Sequence, residues 1–179
     1  FETGAEFGWE RIADTGLEMK SMIHYEDRHQ EHFYGIGPQS SAGDGDVYER
    51  EETVIGGKTG YTLDFIHSAD LGVFYHIVNI SGGKDGGRGQ FDMTRTFNDA
   101  VVPGLHGDSL VETRLNLERD SRNLKENSTA GGRQTLLTSY YEGLNSSDAR
   151  FFKYQAEASQ YFRLGSDRRI FVLHGLAEH

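Results

Sequence analysis

Apolar and polar side chains alternate along this chain with a period of two, and the pattern recurs in segment after segment. From the first residue the odd positions read Phe1, Thr3, Ala5, Phe7 and Trp9, while the even ones read Glu2, Gly4, Glu6, Gly8 and Glu10. Successive side chains of an extended strand point to opposite sides, so this stretch makes a strand with one apolar and one polar face. After a short turn at Arg11 to Thr15 the alternation resumes, with Leu17, Met19, Ser21, Ile23 and Tyr25 set against Glu18, Lys20, Met22, His24 and Glu26. The two segments predict a hairpin.

Six further strands follow from the same pattern. The third, about Glu49 to Leu63, sets Thr53, Ile55, Thr59, Tyr61 and Leu63 against Glu52, Lys58 and Thr62, with Gly56, Gly57 and Gly60 where the strand must curve. The fourth, Leu71 to Ile80, alternates poorly, because Phe74 and Val78 oppose Val73, Tyr75 and Ile77; its pattern suits cover on both sides and leaves its faces unassigned. The fifth, Ser109 to Asp120, reads cleanly as Val111, Thr113, Leu115 and Leu117 against Glu112, Arg114, Asn116 and Glu118. A sixth is expected from about Gly132 to Glu142. The seventh sets Phe152, Tyr154, Ala156, Ala158, Phe162 and Leu164 against Lys153, Gln155, Glu157, Ser159 and Arg163, and Gly165-Ser166-Asp167 turns the chain into an eighth, Arg168 to about Ala177. Connections alternate in the first half: short at Arg11 to Thr15, long at Asp27 to Asp46, short at Asp64 to Asp70, long at Ser81 to Gly107. Short turns at one end and long loops at the other are the mark of an up-and-down barrel in a membrane. No internal repeat or linker divides the chain, so residues 1–179 form one barrel domain or barrel segment.

Composition narrows the setting. A mean hydropathy of −0.61 alongside 12% aromatic residues excludes a disordered acidic chain, which would lack large apolar side chains. The longest apolar run, Val73 to Val78, is broken by His76, so there is no membrane helix; barrel strands, with only every second residue apolar, stay allowed. A net charge of −10 argues against nucleic acid as partner. The absence of cysteine fits passage through an oxidising periplasm. With no basic and apolar leader at Phe1, any secretion signal is expected to be removed or to lie upstream. Charges on the polar faces and aromatics near strand ends, at Trp9, Tyr25 and Phe162, favour lipid on the apolar side over a soluble barrel closed around a small ligand.

Local motifs point the same way. Phe33-Tyr34-Gly35-Ile36-Gly37-Pro38-Gln39-Ser40-Ser41 resembles the aromatic-Tyr-Gly-x-Gly-x-x-Ser segment of barrels in the bacterial surface antigen family, the superfamily of BamA and TamA. Gly104 to about Leu176 is similar to the same family further on, with Gly104 and Gly107 before a strand, Arg119-Asp120-Ser121-Arg122 at its end, and Gly131-Gly132 opening the next; Ser121 stands where the family has Thr, and its proline is absent. The resemblance implies an all-β, antiparallel up-and-down transmembrane β-barrel in the bacterial outer membrane, of sixteen strands, of which eight are seen here. It also implies insertion or translocation of proteins or lipids across that membrane through a weak seam between first and last strands, with outer-membrane lipids, client outer-membrane proteins and assembly factors as partners. The first strand, with Gly4 and Gly8 on its polar face, is then one side of such a seam. The family's POTRA domains and its Arg-Gly-Phe loop motif are not found in these residues, and Glu178-His179 are not the terminal aromatic of the family. Eight strands alone would leave two open edges in hydrocarbon.

No catalytic, cofactor-binding or metal-ligating residue is assigned. His24, His29 and His32 are the only close histidine group, placed at a strand end and in a charged loop and read as solvated. No Gly-x-Ser-x-Gly motif occurs. Gly82 to Gly89 matches a phosphate loop only in composition and reads as a solvated loop. Asp120 and Arg122 are expected to pin a turn or form a lumenal ion pair, and the Phe33 to Ser41 segment to shape the barrel rim. The function expected is thus non-enzymatic, without cofactor. The alternatives are a passive pore or an anchor barrel for an attached domain such as a patatin-like lipase, and a soluble ligand-binding barrel.

Overall fold

The computed structural model describes residues 1–12, 15–35, 46–83, 93–98, 102, 104–144, 149–165 and 169–179. Among these, eight strands follow one another as β1 (Glu2–Ile12), β2 (Leu17–Phe33), β3 (Asp46–Thr62), β4 (His67–Gly82), β5 (Gly107–Asp120), β6 (Gly131–Gly143), β7 (Arg150–Arg163) and β8 (Ile170–Glu178), with one short helix, α1 (Met93–Thr96), between β4 and β5. They make a single antiparallel sheet in chain order, each strand bonded to its sequence neighbours. Among the described residues no ladder joins β8 to β1, so the sheet is open and these two strands are its edges.

The sheet is strongly curled. Glu6 of β1 and Gln155 of β7 line one cavity of about 370 Å³. In a flat sheet, six strand spacings of about 4.8 Å would hold them roughly 29 Å apart. Register decides what the concave side holds. Glu6 pairs with Met22, Lys20 with Lys58, Gly60 with Asp70, Gly72 with Arg114, Asn116 with Leu137 and Leu137 with Gln155, so the mainly polar positions of β1 to β7 fall on this one face. The apolar positions fall on the convex side: Phe7 is 60% exposed, Leu115 41% and Tyr154 45%. The regular ladders from β3 to β7 leave this division unbroken.

Several expectations are corrected in detail. The segment Asp27 to Phe33 is not loop but the upper part of β2, continued past a bulge between Arg28 and Glu31 in which Gln30 adopts a left-handed φ of 61°. His29 and His32 therefore lie on a strand. The fourth strand, whose faces the sequence pattern leaves open, turns Phe74 and His76 inward, at 2% and 8% exposure, and Leu71 and Val73 outward. Its poor alternation reflects an apolar ring on the concave side. The span Ser81 to Gly107, expected as loop, contains α1. In the second half, to which the expected alternation of connections does not extend, the β5–β6 connection runs over residues 121–130 and the β6–β7 connection over 144–149. The tips of the β1–β2 and β7–β8 turns, residues 13–14 and 166–168, and the glycine-rich 84–90 lie outside the described residues.

At one end β2, β3 and β4 run on together, and α1 packs against β3 and β4. Val47, Met93 and Leu105 are buried there at 1–3% exposure, and the Phe33 ring meets Phe97 edge-on at 5.3 Å. This small apolar cluster holds the upper hairpin, while the lower sheet has no apolar core on its convex side.

Candidate functional site

The concave face of the sheet gathers the chemistry of the chain. Its centre is Glu112, which is fully buried although it carries a carboxylate. Its neighbours on β5 and the register with β4 and β6 explain how it is satisfied. Phe74 and Tyr141 are its direct cross-strand partners, and the polar groups one step along the neighbouring strands reach its oxygens. His76 of β4 approaches through Nε2 at 3.0 Å. Ser139 of β6 donates its hydroxyl at 2.6 Å, and Arg114, two residues along β5, donates through Nε and Nη2 at 2.7 and 2.8 Å. The other imidazole nitrogen of His76 faces Glu52 of β3 at 2.9 Å, and Glu52 accepts from Arg50. Two carboxylates are thus bridged by one ring and flanked by two guanidinium groups, across four strands. Buried charge is tolerated only when paired and hydrogen-bonded, and here each group is.

The arrangement does not form a nucleophilic triad. Ser139 and His76 both bond to Glu112 and not to each other, so the imidazole is not placed to take the serine proton as it would be in a triad. It is a carboxylate-centred hub that ties β3, β4, β5 and β6 together. Arg114 extends it, lying 4.5 Å above the Phe74 ring.

Below the hub lies the cavity of about 370 Å³. Its floor is thin because Gly56 and Gly72 carry no side chain; the Phe74 ring lies over both, in the space a Cβ would take. Lys20, Lys58, Asp70, Asn116, Arg133 and Leu137 stand among its lining residues. Lys58 Nζ is 3.6 Å from Asp70 Oδ2, which also accepts from Asn116 at 3.0 Å.

The residues singled out by sequence sit apart from this site. Arg122 pins the end of β5 through two bonds to Asp120, at 2.8 and 2.7 Å, and reaches the Lys125 carbonyl at 3.0 Å. This is the turn-pinning role expected of the pair. His24 and His29 do not converge: His24 lies 3.7 Å from Glu2, while His29 bridges Asp27 at 3.1 Å and Glu49 at 3.6 Å, and His32 stacks on Tyr34. Among the described residues no three His, Asp or Glu side chains are grouped to hold a metal ion. Of the Phe33 to Ser41 motif, Phe33, Tyr34 and Gly35 are described and residues 36–41 lie outside the described residues; Gly35 has a φ of 91°. Gly4 and Gly8 take their expected place on the polar face of the edge strand β1. The hub was not anticipated. His76 interrupting an apolar run, in a strand that alternates badly, was its one local trace.

Comparison with protein-family models, with curated proteins and with solved structures finds no match to this chain.

Proposed function

We propose that this chain forms part of the wall of an outer-membrane β-barrel of the surface antigen type, acting without catalysis in the insertion or translocation of proteins or lipids. One observation carries the membrane reading: the sheet curls with its charged face inward and its apolar face outward. A soluble ligand-binding barrel needs the reverse. The apolar convex belt also has the height of a bilayer core. It runs from Leu17 to Tyr25 on β2 and from Ala69 to Ile77 on β4, each about the nine to eleven residues of a tilted membrane strand. Asp27, Glu51 and Asn79 follow on the same face, so the upper parts of β2, β3 and β4, with the small cluster around Leu105, rise out of the lipid. Aromatics fringe the belt, Trp9 and Phe162 towards the short turns and Tyr25 and Phe152 at the opposite margin. Outer-membrane lipids are therefore the first partner.

The insertion role rests on the resemblance in the Phe33 and Gly104 segments and on the open edges of β1 and β8. In hydrocarbon an unpaired edge requires a partner strand, from the rest of a barrel or from a client protein. A passive pore is the competing role within the membrane reading. Steady single-channel conductance would favour it. Cysteines that lock β1 to the strand closing against it test the insertion role, which fails if the locked barrel still supports assembly.

The membrane reading is tested by Leu115→Arg, at mid-belt, against Glu51→Arg, above it. In vesicles the first is expected to cost about 2–4 kcal/mol of folding free energy and the second under about 1 kcal/mol. A chain that remains in solution without lipid or detergent, with Leu115→Arg neutral, refutes it.

A further inference from the structure

We propose that the cavity on the concave face is a binding site for an amphipathic organic anion, a phosphate monoester or carboxylate on a small apolar body. The inference goes beyond the barrel reading and depends only on the concave face, whichever solvent bathes the convex one.

Charge comes first. Lys20 on β2 and Lys58 on β3 are direct cross-strand partners. Like charges in that relation repel, and their side chains are close enough to converge on one anion. The carboxylates of this face relieve one lysine only in part and the other not at all. Asp70 is shared between Lys58 and Asn116, and Glu6 stands opposite Met22. Among the described residues Lys20 makes no ion pair. The cavity's two guanidinium groups are already paired, Arg114 with Glu112 and Arg133 with Glu118 at 2.6 Å, which leaves Lys20 as the unpaired cation of the lining among the described residues. Shape comes second. Phe74, Met22 and Leu137 give the cavity an apolar side beside the lysine pair, and about 370 Å³ is within the range of small-molecule sites. The glycines at 56 and 72 keep this space open, since side chains there would displace the Phe74 ring.

The test is calorimetric titration of the full chain, folded in vesicles of zwitterionic lipid, with phenyl phosphate, inorganic phosphate and benzyl alcohol. A chain that proves soluble is titrated in buffer, so failure of the membrane reading leaves this test intact. Phenyl phosphate is expected to bind at one site, more tightly than inorganic phosphate, and benzyl alcohol not to bind. The double variant Lys20→Gln, Lys58→Gln should weaken phenyl phosphate about tenfold or more, whereas Lys20→Arg should retain it. Lys153→Gln, which removes a concave-face lysine paired with Glu178 outside the cavity, should change nothing. Circular dichroism checks that each variant folds. Absence of phenyl phosphate binding, equal binding of benzyl alcohol, or unchanged affinity in the folded double variant overturns the proposal.

Discussion

Replacing Glu112 by alanine tests whether the buried hub holds the curvature of the sheet. Glu112 is 0% exposed, and the losses can be followed group by group. The Ser139 hydroxyl, itself 1% exposed, loses its acceptor, at a cost of about 1–3 kcal/mol for a buried donor left unpaired. The Nε2 of His76 loses its carboxylate, with the ring 11% exposed, at a similar cost, while Nδ1 keeps Glu52. Arg114 is 36% exposed and can turn to water, so its share stays below about 1 kcal/mol. Together these come to about 2–7 kcal/mol, which brackets the roughly 3–5 kcal/mol for breaking a buried ion pair by removing one partner. Glu112→Gln keeps an acceptor of the same shape and should lose about half as much. Urea unfolding of the folded protein, followed by the fluorescence of the single tryptophan, Trp9, measures both. Lys153→Ala, which breaks a half-exposed pair with Glu178, is the reference, expected below about 1 kcal/mol. If Glu112→Ala costs no more than this reference, the hub does not stabilise the sheet and the reasoning fails.

The turn between β3 and β4 carries a pH dependence of defined sign. The Asp64 carboxylate accepts from the His67 ring and from the amides of Ile66 and His67, and these bonds hold its pKa down to about 2. Its contribution is therefore fully present above the ordinary aspartate range and lost as pH falls towards 2; the stability gap between the native chain and Asp64→Asn should be constant at neutral pH and vanish at the acid end. A gap that persists below pH 2 contradicts this assignment. Gly107 and Gly104 separate strain from collision. Both have positive φ, 92° and 77°, but a Cβ at Gly107 would run into the Val78 carbonyl, whereas nothing lies within 4 Å at Gly104. Gly104→Ala should cost about 1 kcal/mol and Gly107→Ala clearly more, with amide exchange rising in β4 around Val78; equal effects would show that φ alone matters.

Much of the fold was legible because the strand signal is local. The pairs Phe7 and Glu6, Leu115 and Arg114, and Tyr154 and Glu157 were assigned to opposite faces from alternation alone, and the register keeps them there. Legibility failed where other forces entered. Past Tyr25 the apolar belt ends, so β2 loses its alternation although hydrogen bonding to β3 carries it on to Phe33. In β4, Phe74 turns inward because Gly56 and Gly72 leave a trough for its ring, which alternation cannot foresee. The hub was least visible: Glu52, His76, Glu112 and Ser139 are separated by 24, 36 and 27 positions in its bonds, and only the registers of three ladders bring them together.

Periodicity by itself determined that the chain is all-β and which side chains share a face, because in a pleated strand these follow from position parity, while the order of pairing was suggested by the connection lengths. It could not determine which face lies inside. That depends on the direction in which eight twisted strands curl, a property of the assembled ladders. Curling towards the polar face is what buries Glu112, opens the lysine-lined cavity, and leaves the apolar belt facing outward.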